Sequence, residues 1–342
     1  MANSRHPPYC TKRLCRGVWL AAVTTLTLFY LVIINCTNFA PSYRHLTKIS
    51  LSSTPAIPKY RRVNETKSLS AAAKHGVEDA LLQDIFISVK TSEKFHGSRL
   101  KIIIDTWFDL VPEQTYFFSD ATDEKLQERT KGHVINTGCG KEHTRTDLTC
   151  KMAAEYDMFV SSSEKWWCHF DDDNYVNVKQ LNVLLKEFNP EENVYIGKPS
   201  MSRQISTLYS DENVKFSFAT GGAGMCISRS LAMKMSPWCR RGSLLETSDK
   251  LRFPDDCTIG FVITNRLGVN LTHSPLFHSH LEPLSRIPSD DLKKQVTLSY
   301  QTSSSGSNII NFKHWKLFNS SFDPTRLYSF HCSRYPTTHF CT

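Results

Sequence analysis

The apolar and polar positions of this 342-residue chain fall into two regimes. From about Leu81 onward, strand-like runs alternate with segments of helical spacing. Asp84 to Lys90 (DIFISVK) predicts a buried strand, and Leu100 to Phe108 is apolar at helical spacing. Thr115 to Phe118 predicts a second strand, ending in Ser119-Asp120. Thr122 to Thr130 predicts a polar helix, and His133 to Ile135 a short third strand. Leu148 to Val160 repeats apolar residues at Met152, Ala153, Tyr156 and Phe159, which predicts an amphipathic helix. Trp166 to Phe170 (WWCHF) is a fourth strand. Such alternation implies an α/β fold with parallel strands joined by right-handed crossovers. Ligands in open sheets of this kind bind beyond the carboxyl ends of the strands.

The amino-terminal regime differs. Val18 to Ile34 is free of formal charge, at the short end of the roughly 17–25 residues that span a bilayer. Lys12, Arg13 and Arg16 precede it and no charge follows until Arg44, so the tail is expected on the cytosolic side and the remainder across the membrane. The apolar run exceeds the roughly 7–15 residues of a signal peptide and ends without an Ala-x-Ala site, which favours a retained signal anchor. Cys36 to about Ala80 is interrupted by Pro41, Pro55 and Pro58 and is rich in Ser, Thr and Lys, a composition unable to bury a core. The expected organisation is a tail at 1–17, an anchor at 18–34, a stem at 35–80 and a folded domain at 81–342.

Charge sharpens this division. The net +8 suggests nucleic acid, an anionic membrane or a phosphate-bearing ligand. Residues 1–80 hold 11 Lys and Arg against 3 Asp and Glu, whereas residues 81–342 hold 30 of each. The excess therefore belongs to the tail and stem, and no nucleic-acid partner is expected. Eight of the 11 cysteines lie in the folded part, an even number suited to disulfides in an oxidising lumen. Cys139–Cys150 and Cys332–Cys341 would close short loops, and Cys168 and Cys226 lie in strand-like runs that suit a bridge between neighbours. The sequons at Asn64, Asn270 and Asn319 fit the same compartment.

Candidate chemistry begins where the fourth strand ends, in Asp171-Asp172-Asp173. Adjacent carboxylates repel unless they are solvated or neutralised by a cation. After an apolar strand, the hard-oxygen site for Mg²⁺ or Mn²⁺ is the better reading. In extended chain Asp171 and Asp173 would point one way and Asp172 the other. No G-x-G-x-x-G and no Walker A sequence occurs, so neither of those phosphate cradles is present. Gly221-Gly222-Ala223-Gly224 permits close approach of backbone to a ligand. Asp255 and Asp256 precede an apolar helical stretch, one suited to cap it and the other to face a site. His278 and His280 would share a face if extended, supplying an imidazole ligand to a metal held by acid.

Together WWCHFDDDNYVN, FATGGAGMCISR, PDDCTIGF and PLFHSHLE closely resemble the Fringe glycosyltransferases, over essentially all of 84–342. The resemblance implies a GT-A fold and a type II Golgi membrane enzyme. It implies Mn²⁺-dependent transfer of N-acetylglucosamine from UDP-GlcNAc to the 3-hydroxyl of O-linked fucose on EGF-like repeats of Notch receptors, and so a part in Notch signalling. By position it implies Asp173 and His280 as manganese ligands, Asp172 as a donor contact with Asp171 beside it, Arg99 as a substrate contact and Asp256 as catalytic base. It also supports the three disulfides. Cys239, where the family has a small residue, would pair with Cys257 or stay free. A β-1,3-galactosyltransferase or another N-acetylglucosaminyltransferase with a different acceptor is the competing enzymatic reading. A non-catalytic lumenal lectin-like module is the competing reading of another class.

Overall fold

The computed structural model describes residues 82–303, 306–312 and 318–341. The tail, the anchor, the stem and Asn64 lie outside the described residues. Among the described residues no helix is long and apolar enough to cross a membrane.

The first half of the domain runs β1 (Ile85–Lys90), α1 (Lys101–Asp105), β2 (Thr115–Ser119), α2 (Glu124–Arg129), β3 (Val134–Asn136), α3 (Arg145–Ser161), β4 (Trp166–Asp171), β5 (Asn174–Val176) and α4 (Val178–Leu185). The second continues through β6 (Tyr195–Gly197), β7 (Ile205–Tyr209), β8 (Glu212–Phe216), β9 (Met225–Ser228), α5 (Arg229–Cys239), α6 (Ser243–Leu251) and α7 (Asp255–Phe261). It closes with β10 (Thr272–His273), β11 (Thr297–Ser299), β12 (Gln301–Ser303), β13 (Gly306–Asn308) and α8 (Leu327–Arg334).

Seven strands form one sheet in the order β10-β6-β9-β4-β1-β2-β3. β1 pairs in parallel with β2 and β4, and β2 with β3, as crossover connections require. β9 runs antiparallel to both β4 and β6, so the sheet is mixed. Strand alternation separates two buried layers. Ile85, Ile87 and Val89 join Trp166, Cys168 and Phe170 on one face, while Phe86 and Trp167 meet Met152, Tyr156 and Phe159 of α3 on the other. Full burial of a side chain of this size contributes about 1.5–3 kcal/mol, so the two layers dominate stability. Thr144 caps α3, accepting the Asp147 amide at 3.2 Å.

The region expected to form one helix from Leu100 to Phe108 is broken. A π-helical turn (His96–Leu100) leads into α1, and a separate turn follows at Phe108–Leu110. Its apolar side nevertheless packs as its spacing predicts, with Leu100, Ile103, Ile104, Trp107 and Phe108 buried. All three expected disulfides form. Cys168 and Cys226 are direct cross-strand partners of β4 and β9, with Cα atoms 4.1 Å apart. Cys239 and Cys257 are free and buried.

Candidate active site

The carboxyl edge of the sheet gathers the candidate residues from distant parts of the chain. β4 delivers Asp171, then the chain turns through Asp172 and Asp173 and resumes as β5. This turn corrects the expected alternation. Asp172 and Asp173 both face Arg99, at 2.9 and 3.8 Å, while Asp171 points to Lys90 at 3.2 Å. Alternation applies only to extended chain, and the extension ends at Asp171.

Arg99 reaches Asp172 from the π-helical turn, a distortion common at functional sites. Its guanidinium lies 4.0 Å from the centre of the Phe95 ring, a cation–π contact that fixes its direction. Thr91 donates from its hydroxyl to the other Asp172 oxygen at 2.8 Å. Burial pushes Asp172 up to about 6 against the pull of Arg99, and neighbouring Asp173 adds to the rise.

β5 pairs antiparallel with β11, setting Ser299 opposite Asn174. The Ser299 hydroxyl thereby donates to Asp173 Oδ1 at 3.1 Å. His280 Nδ1 stands 3.2 Å from Asp173 Oδ2, and this hydrogen bond raises the imidazole above its ordinary value. His278 does not join it. Its Nε2 is 2.9 Å from Gln295 and its Nδ1 3.3 Å from Glu282, because residues 277–280 form a loop instead of a strand. Only one histidine of the pair therefore reaches the site. Among the described residues no group of three or more His, Cys, Asp or Glu side chains is arranged to hold a metal.

Asp255 and Asp256 open α7, yet neither is its cap, a position held by Pro254. Lys90 donates to Asp255 at 2.5 Å. Asp256 accepts backbone amides, from Gly221 at 3.1 Å and Cys257 at 2.7 Å, and the Cys257 thiol bonds to it as well. Burial, reinforced by the charge of Asp255, raises Asp256 to about 6, with those amides and Lys90 pulling the other way. The glycine turn makes the approach possible. A Cβ at Gly224, whose φ is +85°, would lie 2.3 Å from the Phe170 ring. Gly222 brings the same turn beside His280.

Asp171 is anchored beneath the site. Burial opposes its charge, but Lys90 and His169 hold it far below the ordinary carboxylate range. Lys90, Thr91, Ser299 and the His169–Glu155 pair are additions to the residues expected from sequence. One signal for them was present: Lys151 and Glu155 fall in phase with the apolar stripe of α3, where charges are out of place. Asn270 and Asn319 are exposed.

Carboxylates, an imidazole and a glycine turn thus meet at the carboxyl edge of a mixed α/β sheet, where open sheets of this kind bind ligands. A family model described as Fringe-like matches residues 80–338. Lunatic fringe of Danio rerio, named a β-1,3-N-acetylglucosaminyltransferase, is 51% identical over 269 residues, covering 77% of this chain and 71% of its own. Radical fringe of Notophthalmus viridescens, carrying the same activity name, is 46% identical over 283 residues, covering 81% and 71%. The Fringe glycosyltransferase of Drosophila melanogaster is 48% identical over 266 residues, covering 76% and 64%. Among solved structures, a galactosyltransferase crystallised with donor and acceptor sugar analogues aligns at 11% identity and a TM-score of 0.37, covering 72% of this chain and 95% of its own. The chain belongs to the Fringe-like family.

Proposed function

We propose that this chain transfers N-acetylglucosamine from UDP-GlcNAc to the 3-hydroxyl of O-linked fucose on EGF-like repeats of Notch receptors. The observation that carries this reading is Asp256. It is a carboxylate with no side-chain cation of its own, raised to about 6, at the same sheet edge as Asp172, Asp173 and His280. A general base works best when its pKa lies near the operating pH. The names of the Fringe relatives support N-acetylglucosamine as the sugar.

The reaction is an inverting single displacement. Asp256 takes the proton of the fucose hydroxyl as that oxygen attacks the anomeric carbon. The Gly221 and Cys257 amides orient its carboxylate. Thr91 and Arg99 fix Asp172 toward the donor. Asp173, a hard oxygen donor, and His280, in contact with it, would hold Mn²⁺. Mn²⁺ there would offset negative charge developing on the departing diphosphate. Three disulfides and two exposed sequons support a lumenal, oxidising compartment, consistent with a Golgi enzyme anchored through 18–34.

The test is transfer by the purified protein from UDP-GlcNAc and from UDP-Gal to O-fucosylated EGF repeats, with and without Mn²⁺. The expected result is Mn²⁺-dependent transfer from UDP-GlcNAc. Preference for UDP-Gal, or no transfer from either donor, would overturn the reading.

A further inference from the structure

Below the sheet edge lies a line of charged groups, buried except for the part-exposed Asp171, that the reaction described above does not use. Strand alternation places Ser88 and Lys90 of β1, and His169 and Asp171 of β4, on the face covered by α3. α3 inserts Glu155 there, with no exposed surface. Its Oε2 accepts the Ser88 hydroxyl at 2.6 Å and meets His169 Nδ1 at 2.6 Å. Trp167 donates to Ser88 at 2.8 Å, so the serine is itself held in place. The other ring nitrogen of His169 lies 3.6 Å from Asp171 Oδ1. Asp171 is 3.2 Å from Lys90, and Lys90 is 2.5 Å from Asp255. The next residue is Asp256.

Stability alone does not account for such a line, since well-packed apolar residues often replace buried ion pairs without loss. Its course does. We propose that Glu155 and His169 form a positioning dyad for the base: Glu155 orients the imidazole, the imidazole and Lys90 share Asp171, and Lys90 is thereby placed to neutralise Asp255 beside Asp256. This rests on the assignment of Asp256 as base. The charge state fits: burial disfavours the imidazolium, but Glu155 and Asp171 raise His169 to about 9. The titratable and charged groups around Asp256 are Asp255 and Cys257 on α7, Lys90 on β1 and Tyr195 on β6, with His169 of β4 facing it across Gly221, since a Cβ there would lie 3.7 Å from both Asp256 Oδ2 and His169 Nε2. Lys90 is the cation bound to the carboxylate beside Asp256. Without His169, Asp171 draws Lys90 from Asp255, and the freed Asp255 charge pushes Asp256 further up.

The experiment is the pH profile of kcat/KM for His169→Asn and Glu155→Gln. Lys151→Met is the control for a buried charge removed from the same helix, since Lys151 binds Asp120 and the Thr91 carbonyl instead. The acidic limb is expected to move up by about one pH unit in both dyad variants, a differential interaction of ordinary size. Lys151→Met should lower the rate at every pH without moving the limb. An unmoved limb in the folded dyad variants overturns the proposal. Nitrogen-15 NMR of the intact parent gives a readout independent of transfer, and decides the matter if the variants do not fold. Protonation of both His169 nitrogens at pH 7.5 supports the dyad, and a neutral ring overturns it. A parent chain without transfer activity would overturn the assignment of Asp256 and with it the dyad's role toward a base, whereas an unmoved limb in variants of an active parent overturns the dyad alone.

Discussion

Two acidic segments meet at the sheet edge, and they are held differently. Asp172 and Asp173 leave β4 in a turn, and each is met by side chains: Arg99 and Thr91 for the first, His280 and Ser299 for the second. Asp255 and Asp256 open α7, where Lys90 serves Asp255 and Asp256 is met by two backbone amides and the Cys257 thiol. Both segments contain a carboxylate raised to about 6, with burial as the largest cause. In the first, an arginine contacts that carboxylate directly. In the second, amides orient it and no side-chain cation touches it, Lys90 acting on its charge from beside Asp255. The first arrangement suits holding a charged ligand; the second suits taking up a proton and releasing it.

The comparison breaks most readily at Asp256. Asp256→Asn should lower transfer by at least about 10²–10⁴-fold, the usual contribution of a general base, in a protein that still folds. Near-normal turnover would remove Asp256 from that role. Next in size is Asp173→Ala. It should weaken UDP binding in the presence of Mn²⁺ by about 10–100-fold and lower turnover with it, and chelation of the metal from the parent should act similarly. Full activity without metal would contradict this. Arg99→Met should raise the donor KM by about tenfold, the worth of one charged hydrogen bond, with a smaller effect on kcat. An unchanged KM would separate Arg99 from donor binding.

A milder perturbation is pH. The base acts as the carboxylate, so transfer should fall as pH drops through about 6, where Asp256 becomes protonated. The sign follows from the raised value: an ordinary carboxylate would remain ionised well below that point. A rate constant flat down to pH 5 would contradict it. The smallest effect is expected at Cys239, which is buried and unpaired on α5. Cys239→Ala should cost about 1 kcal/mol of stability and leave the pH profile unchanged. A displaced limb in its thermally stable form would tie α5 to the base.

The strands, their alternation with helices and the three bridges were legible because local apolar periodicity and cysteine placement carry them. The candidate residues were legible as types at positions, but their partnerships were not. Asp171 to Asp173 read as extended chain, although the turn begins within them and rotates Asp172 to the side of Asp173. His278 and His280 read as a pair, although loop geometry gives one to Gln295 and the other to Asp173. Thr91 and Ser299 were invisible since each depends on tertiary contacts across 81 and 126 residues of chain. Lys151 and Glu155 show the limit most clearly. Their phase marks them as buried charges, yet only the packed sheet reveals what each one meets.

The central claim is that one acidic segment holds the donor while the other moves the proton. Titration calorimetry with UDP and Mn²⁺ on Asp256→Asn and Asp173→Ala, both inactive or nearly so, tests it most directly. The account predicts parental UDP affinity in Asp256→Asn and a loss of about 10–100-fold in Asp173→Ala. Equal loss in both variants, or loss confined to Asp256→Asn, would contradict it.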